Sequence, residues 1–234
     1  MTTRFCNHVS ALTMVVCLSG CATARSRPAP PRTVEGKVAV RVEAEPGSAE
    51  VTYRGMAVGP TPTSLNLVSL ADVLAIAAER PAESWVEKRV RILSPTEIEV
   101  LFRFGKDAGP LAMRLGLERV LVFDYSSTAT FDVDSYDLKS GVLPLLEEQA
   151  KLLTTAFADV DVHVCGHTDS SGSETHNLEL SLRRAESVST FLIGHGVPGE
   201  RLKVLGLAAE FPLAENTTPE GKSRNRRTEL VLPQ

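Results

Sequence analysis

Val160-Asp161-Val162-His163-Val164-Cys165-Gly166-His167-Thr168-Asp169 alternates apolar and polar residues up to Cys165, then breaks into a glycine-led turn ending on a carboxylate. Alternation with a period of two marks a half-buried strand. Beyond the turn, residues 174–194 place Leu178, Leu182, Ala185, Val188 and Leu192 on one face at helical spacing. The prediction is strand, turn, helix, with Asp169 on the turn and Arg184 fifteen residues later on the helix. An acid and a base held across a helix start suit a small zwitterion, which offers an ammonium to one and a carboxylate to the other.

The same logic extends through the C-terminal half. From about Val120 the pattern alternates between strand and helix. Residues 129–133 read as a strand, followed by the acidic turn Asp134-Ser135-Tyr136-Asp137. Leu143, Leu146, Ala150, Leu153 and Phe157 recur every three or four residues, which predicts an amphipathic helix over 141–158. Residues 201–206 and 226–232 supply the remaining strands. The order predicts an α+β fold whose second part is a βαβαβ unit, a sheet covered by two long helices.

In the N-terminal half, residues 37–43, 50–54 and about 64–67 read as short strands punctuated by Pro46-Gly47, Gly55 and Gly59-Pro60-Thr61-Pro62. Residues 69–79 read as a short helix with Ser69 at its N-cap. Alternation returns over 85–93 and 97–104, joined by the turn Ser94-Pro95-Thr96. The expectation for 34–105 is a small antiparallel β-sandwich, with 106–124 a connector carrying a helical turn or two over 111–117. This half carries no catalytic constellation.

The first twenty residues read as a secretory signal. Arg4 supplies a positive start, and the apolar stretch 9–18 is half the roughly twenty residues a membrane-spanning helix needs. It ends in Leu18-Ser19-Gly20-Cys21, which resembles the bacterial lipobox, so Cys21 is the expected lipidation site; an ordinary signal peptide that contains a cysteine is the alternative. Ala22 after the cysteine then implies delivery to the outer membrane, with the body facing the periplasm. Residues 21–33, rich in proline and without apolar periodicity, read as the lipidated cysteine and an extended linker.

Of four cysteines, Cys6 and Cys17 lie in the signal and Cys21 is the lipid site. Cys165 alone is left in the body, so no intramolecular disulfide forms there. Loss of the signal removes Arg4 and no acid, moving the formal charge from −4 to −5. A nucleic-acid partner, which needs a basic face, is disfavoured.

The C-terminal half, residues 125–234, resembles the OmpA-like peptidoglycan-binding domain. The resemblance rests on Phe131-Asp132-Val133-Asp134, Gly166-His167-Thr168-Asp169, Gly172, Asn177, Leu180-Ser181, Arg184-Ala185, Gly194, Gly196, Gly206, Pro212 and Asn225-Arg226-Arg227. It implies non-covalent binding of the diaminopimelate of the peptidoglycan stem peptide, without cofactor or metal. Asp169 would take the ammonium and Arg184 the carboxylate. Thr168, Asn177 and the backbone of the Asp134-Ser135 turn would frame the ligand, with Arg226 close by and Asn225 holding a loop. One of Arg226 and Arg227 would support the fold through a salt bridge. Read without the resemblance, Arg184 is equally a partner for Glu179 or Glu186, and Asp169 a turn former or helix cap. Residues 34–105, through Pro46-Gly47-Ser48-Ala49, Gly55, Gly59, Thr61-Pro62 and Leu65, resemble a PEGA-type β-module.

Two other readings rank lower. His163, Cys165 and His167 share one side of a strand, an arrangement that suits metal ligands, but strand alternation alone gives that spacing. Ser170, His167 and Asp169 are sequence neighbours and cannot adopt the relayed geometry of a hydrolytic triad. No enzyme activity is expected. The expected function is a lipoprotein that tethers the outer membrane to the wall. The alternative is a wall-anchoring subunit of an envelope machine, a secretion system or motor, whose β-domain binds a protein partner.

Overall fold

The computed structural model describes residues 38–234; the signal peptide, Cys21 and the proline-rich linker lie outside the described residues. Alternation in the first half becomes the strands β1 (Val38–Glu45), β2 (Glu50–Tyr53), β3 (Met56–Pro60), β4 (Thr63–Leu67), β5 (Ile76–Glu79), β6 (Trp85–Ser94) and β7 (Glu97–Phe104). β2 and β3 form a hairpin across Arg54 and Gly55, both at positive φ (50° and 75°). Two left-handed residues are what a tight hairpin turn requires.

The helix expected over 69–79 is present only in part. Leu70–Ala75 forms a 3-10 turn, whose start is capped by the Asp72 carboxylate, which accepts from the N–H groups of Val68 and Ser69 at 3.2 Å. The remainder is β5, in which Ile76 and Ala78 are buried and the backbone bonds to β2. The pairing satisfies the backbone and sinks Ile76, so tertiary contacts override local helix propensity. The Lys88 ammonium seals the junction, donating to the carbonyls of Val73 (2.8 Å) and Ile76 (2.7 Å).

The second half contains α1 (Gly109–Arg114), β8 (Val120–Ser126), α2 (Ser127–Thr130), α3 (Leu143–Thr155), β9 (Val162–His167), α4 (Glu174–Gly194), β10 (Leu202–Gly206), α5 (Pro219–Asn225) and β11 (Arg227–Pro233). The strand expected over 129–133 is replaced by β8, which begins inside the expected connector (106–124) and runs two residues past it. Ala129 and Thr130 instead close the helical turn α2, where Thr130 Oγ1 donates to the Ser126 carbonyl at 2.8 Å. Phe131 keeps only an isolated bridge to Leu138.

One eight-stranded sheet runs in the order β10-β9-β11-β8-β6-β7-β1-β4, beside a three-stranded sheet β3-β2-β5. The fold is α+β, but the first-half strands are not purely antiparallel: β1 runs parallel to β7. β6 also pairs parallel with β8, with Val90 opposite Phe123, so the sheet continues from the first half into the second. An unpaired β6 would leave a row of open N–H and C=O groups. Leu121, Phe123 and Tyr125 of β8 join the core under α3 and α4. Val120 and Val122 pack with Ala112 of α1, Cys165, Leu207 and Val231 on the other face. Cys165 is thus a buried apolar residue whose thiol pKa is pushed up by burial. No helix among the described residues is long and apolar enough to cross a membrane.

α4 crosses β9 at Gly166. A Cβ there would lie 1.9 Å from the Ser181 carbonyl oxygen. Gly166→Ala is therefore expected to push α4 off the sheet and destabilise by about 2 kcal/mol, as overpacking does. An unchanged urea midpoint would contradict this close approach.

A candidate ligand cavity at the start of α4

The turn between β9 and α4 is built by short local bonds. Ser173 caps α4 by accepting from His176 N–H at 3.3 Å. The Asp169 carboxylate accepts from Ser171 N–H at 2.7 Å. Asn177 Nδ2 donates to the carbonyls of Asp169 (3.3 Å) and Ser171 (2.7 Å), which pins the turn to the helix. On the β10 side, Thr168 N–H bonds to the Ala208 carbonyl at 2.9 Å.

Beside this turn lies a cavity of about 600 Å³. Asp134, Thr168, Asp169, Asn177, Arg184 and Arg226 all line it. Ser135 does not; its carbonyl instead accepts from Arg184 Nε at 2.9 Å. Arg184 also donates from Nη2 to the Asp132 carbonyl at 3.4 Å, and its guanidinium lies 5.1 Å from the centroid of the Phe131 ring.

Among the described residues, the carboxylates lining the cavity are each engaged by a side chain other than Arg184. Arg226 Nη1 meets Asp169 Oδ2 at 2.5 Å. Lys139 meets Asp132 at 3.2 Å, and His176 Nε2 meets Asp134 Oδ1 at 2.9 Å. Arg184 is only 4% exposed, and among the described residues no carboxylate stands within 4.0 Å of it. It pairs with neither Glu179 nor Glu186; the neighbouring Arg183 faces Glu179, at 4.0 Å. Burial lowers the Arg184 pKa, opposed in part by the charge of Asp134. Burial acts to raise the Asp169 pKa, but the bonds from Arg226 and Ser171 outweigh it and leave the carboxyl below its usual range.

Two residues that sequence reasoning missed also line the cavity. Ser127, brought there by β8 and α2, is 4% exposed, and its hydroxyl has no protein partner. The Thr168 hydroxyl is likewise buried without a partner. His176, also missed, holds Asp134, a residue in the left-handed region at φ 56°. Neither Ser127 nor His176 carries a local sequence signal; β8 and α2 place the first, and the first turn of α4 places the second.

The remaining motif residues hold the fold. Asn225 accepts from the N–H groups of Leu213 (2.8 Å) and Ala214 (3.0 Å) and donates to the Ala214 carbonyl at 2.7 Å. Arg227 is buried, bonding Glu229 (2.7 Å) and the carbonyls of Asn225 and Phe211. His167 packs beside that pair, its Nε2 3.5 Å from Glu229.

A strand, a turn and a helix thus hold a buried cation and an acid around one cavity of mixed charge. Residues 130–226 match the model of the OmpA family. The chain is 38% identical over 112 residues to "Probable lipoprotein YiaD" of Escherichia coli (strain K12), covering 48% of this chain and 51% of that protein. It is 43% identical over 77 residues to "Peptidoglycan-binding protein ArfA" of Mycobacterium tuberculosis (strain ATCC 25618 / H37Rv), covering 33% of this chain and 24% of that one. The chain thus spans about half the length of the first and a quarter of the second. It is also similar to the solved peptidoglycan-associated lipoprotein from Burkholderia pseudomallei, at 31% identity over 44% of this chain and 86% of that chain, with a TM-score of 0.41.

Proposed function

We propose that the cavity binds the diaminopimelate of the peptidoglycan stem peptide. On this reading the chain, lipidated at Cys21, holds the outer membrane to the wall from the periplasmic side. The observation that carries the reading is Arg184, a buried guanidinium with no carboxylate within 4.0 Å among the described residues, in a cavity whose carboxylates are engaged by Arg226, Lys139 and His176. A buried uncompensated charge is costly, and a ligand carboxylate offsets that cost. Arg184 takes the carboxylate. Asp169 keeps lone pairs beyond those used by Arg226 and Ser171, and these accept the ammonium. The open hydroxyls of Thr168 and Ser127 bond the ligand's polar backbone. Asn177 and the Ser135 carbonyl are positioning groups, one for the 169–171 turn and the other for Arg184.

Binding of this kind breaks no bond, so the protein acts as a tether and not as a catalyst. A single weak site suffices when the wall repeats the ligand and a lipid fixes the protein beside it. The PEGA-like module serves as a spacer, its sheet continuous with the second half through the β6–β8 pairing.

Co-sedimentation of the full chain with diaminopimelate-type sacculi tests the reading. Arg184→Ala removes charge-assisted bonds and is expected to weaken binding about 10- to 150-fold, with Asp169→Asn in the same direction. A wild-type chain that stays in the supernatant sinks the proposal, as does an Arg184→Ala variant that pellets as well as wild type.

A further inference from the structure

The cavity does not end at Lys139. A second cavity of about 520 Å³ adjoins it, and Thr128, Asp132 and Lys139 line both. The second is also lined by Ser94 and Pro95, from the β6–β7 turn, and by Ser140 and Gly141, which precede α3. Ser94 and Pro95 lie outside the 130–226 segment that matches the OmpA family, so this part of the groove comes from the chain's own first half. The groove therefore crosses the sheet junction that the β6–β8 pairing creates.

Its chemistry differs from that of the first cavity. Where the two meet, Lys139 is held by Asp132 at 3.2 Å and by the Thr128 carbonyl at 3.0 Å. No other ionised side chain lines the second cavity. What it offers is the hydroxyls of Ser94, Thr128 and Ser140 and the exposed ring of Pro95. The Ser140 hydroxyl makes no protein hydrogen bond among the described residues, and the Ser94 hydroxyl serves only its own turn, accepting from Thr96 N–H at 3.3 Å. Hydroxyls beside a small apolar ring, without a free charge, fit a neutral ligand rich in hydroxyl and amide groups.

We propose that the second cavity is a subsite for the neutral N-acetylated sugar portion of the same wall polymer. The inference rests on the reading of the first cavity as the stem-peptide site. A zwitterion seated at Arg184 and Asp169 is one residue of a branched polymer, and the adjoining groove gives the rest of that ligand a path. Sugar hydroxyls and the acetamido group bond Ser94, Ser140 and Thr128, while a sugar C–H face lies on Pro95. The first half of the chain thereby becomes part of the binding surface.

The test compares two purified ligands on the full chain in detergent: a stem tripeptide without sugar, and the same tripeptide carrying its disaccharide. Calorimetry is expected to show the disaccharide form binding about tenfold tighter, the gain from roughly two ordinary hydrogen bonds. Ser140→Trp and Ser94→Trp fill the second cavity from two different elements. Each is expected to abolish the tenfold advantage while leaving the affinity for the sugar-free tripeptide unchanged, which also reports that the chain is folded. Equal affinities of wild type for the two ligands overturn the subsite and leave the stem-peptide site standing. So does an advantage that survives both variants. If neither ligand binds wild type, the first-cavity reading fails and the subsite fails with it.

Discussion

Glu229→Leu should destabilise the protein by about 3–5 kcal/mol, because it removes one acid from a largely buried and charge-balanced network. Glu229 is fully buried, and its Oε1 accepts from Arg89 at 2.5 Å and Arg227 at 2.7 Å. Arg89 in turn bonds Glu87 at 2.7 Å and Asp124 at 3.2 Å, and Glu87 meets Arg103 at 2.8 Å. Three guanidiniums thus face three carboxylates, and leucine leaves the cations in excess around a fully buried position, with only Arg103 partly exposed. The acids and bases come from β6 and β7 of the first half and from β8 and β11 of the second. Thermal unfolding followed by circular dichroism should show a midpoint lowered by about 6–20 °C, from roughly 2–4 °C per kcal/mol for a chain of this size. Wild type and variant should each melt in one transition, since the network ties both halves to one sheet. A shift no larger than that of a leucine at exposed Glu179 would show that water reaches the network and screens it.

The same network marks where the sequence stops being readable. Glu87, Lys88 and Arg89 look like a solvated stretch within a strand, yet all three are buried. The partners of Arg89 lie 35 and 140 residues away, at Asp124 and Glu229, so no local pattern announces them. β8 was missed for a related reason. A strand buried on both faces in mid-sheet shows a nearly continuous apolar run and not an alternation. With β8 hidden, Ser127 could not be placed at the cavity. Residues 76–79 failed differently, because Ile-Ala-Ala-Glu suits a helix locally and becomes a strand only through β2. By contrast, α4 and the turn before it were legible. The helical spacing of Ala185, Val188 and Leu192 and the glycine-led turn ending on Asp169 are encoded within thirty residues, although Leu178 and Leu182, expected on the same apolar face, are exposed at 47% and 38%. That is why the sequence put Asp169 and Arg184 on neighbouring elements, while the Arg226 partner of Asp169, 57 residues on, needed the fold.

Acidification from pH 6.5 to 5 should cost the folded state about 2 kcal/mol, and His167→Gln should remove most of that loss. His167 is 1% exposed, and burial, reinforced by the Arg227 charge, pushes its pKa down to about 4. In the unfolded chain an imidazole titrates near 6.5. The unfolded state therefore takes up the proton first, and stability falls as pH falls through the window between about 6.5 and 4. Each pH unit inside that window is worth about 1.4 kcal/mol, which gives about 2 kcal/mol by pH 5. The groups facing the ring are Glu229 and Arg227 of β11 and Arg89 of β6; the two arginines oppose protonation, and Glu229 favours it too weakly to offset burial. Glu229 and Asp169 are held below their usual range, so their contributions are lost only at still lower pH. Asp124 runs the other way, since burial raises its pKa and protonating it relieves the folded state as pH falls. His163, half-buried and also lowered by burial, adds a smaller slope of the same sign as His167 and should persist in the variant. Urea unfolding at pH 7, 6 and 5 separates these contributions, and a wild-type midpoint that stays level across that range would refute a neutral, buried His167.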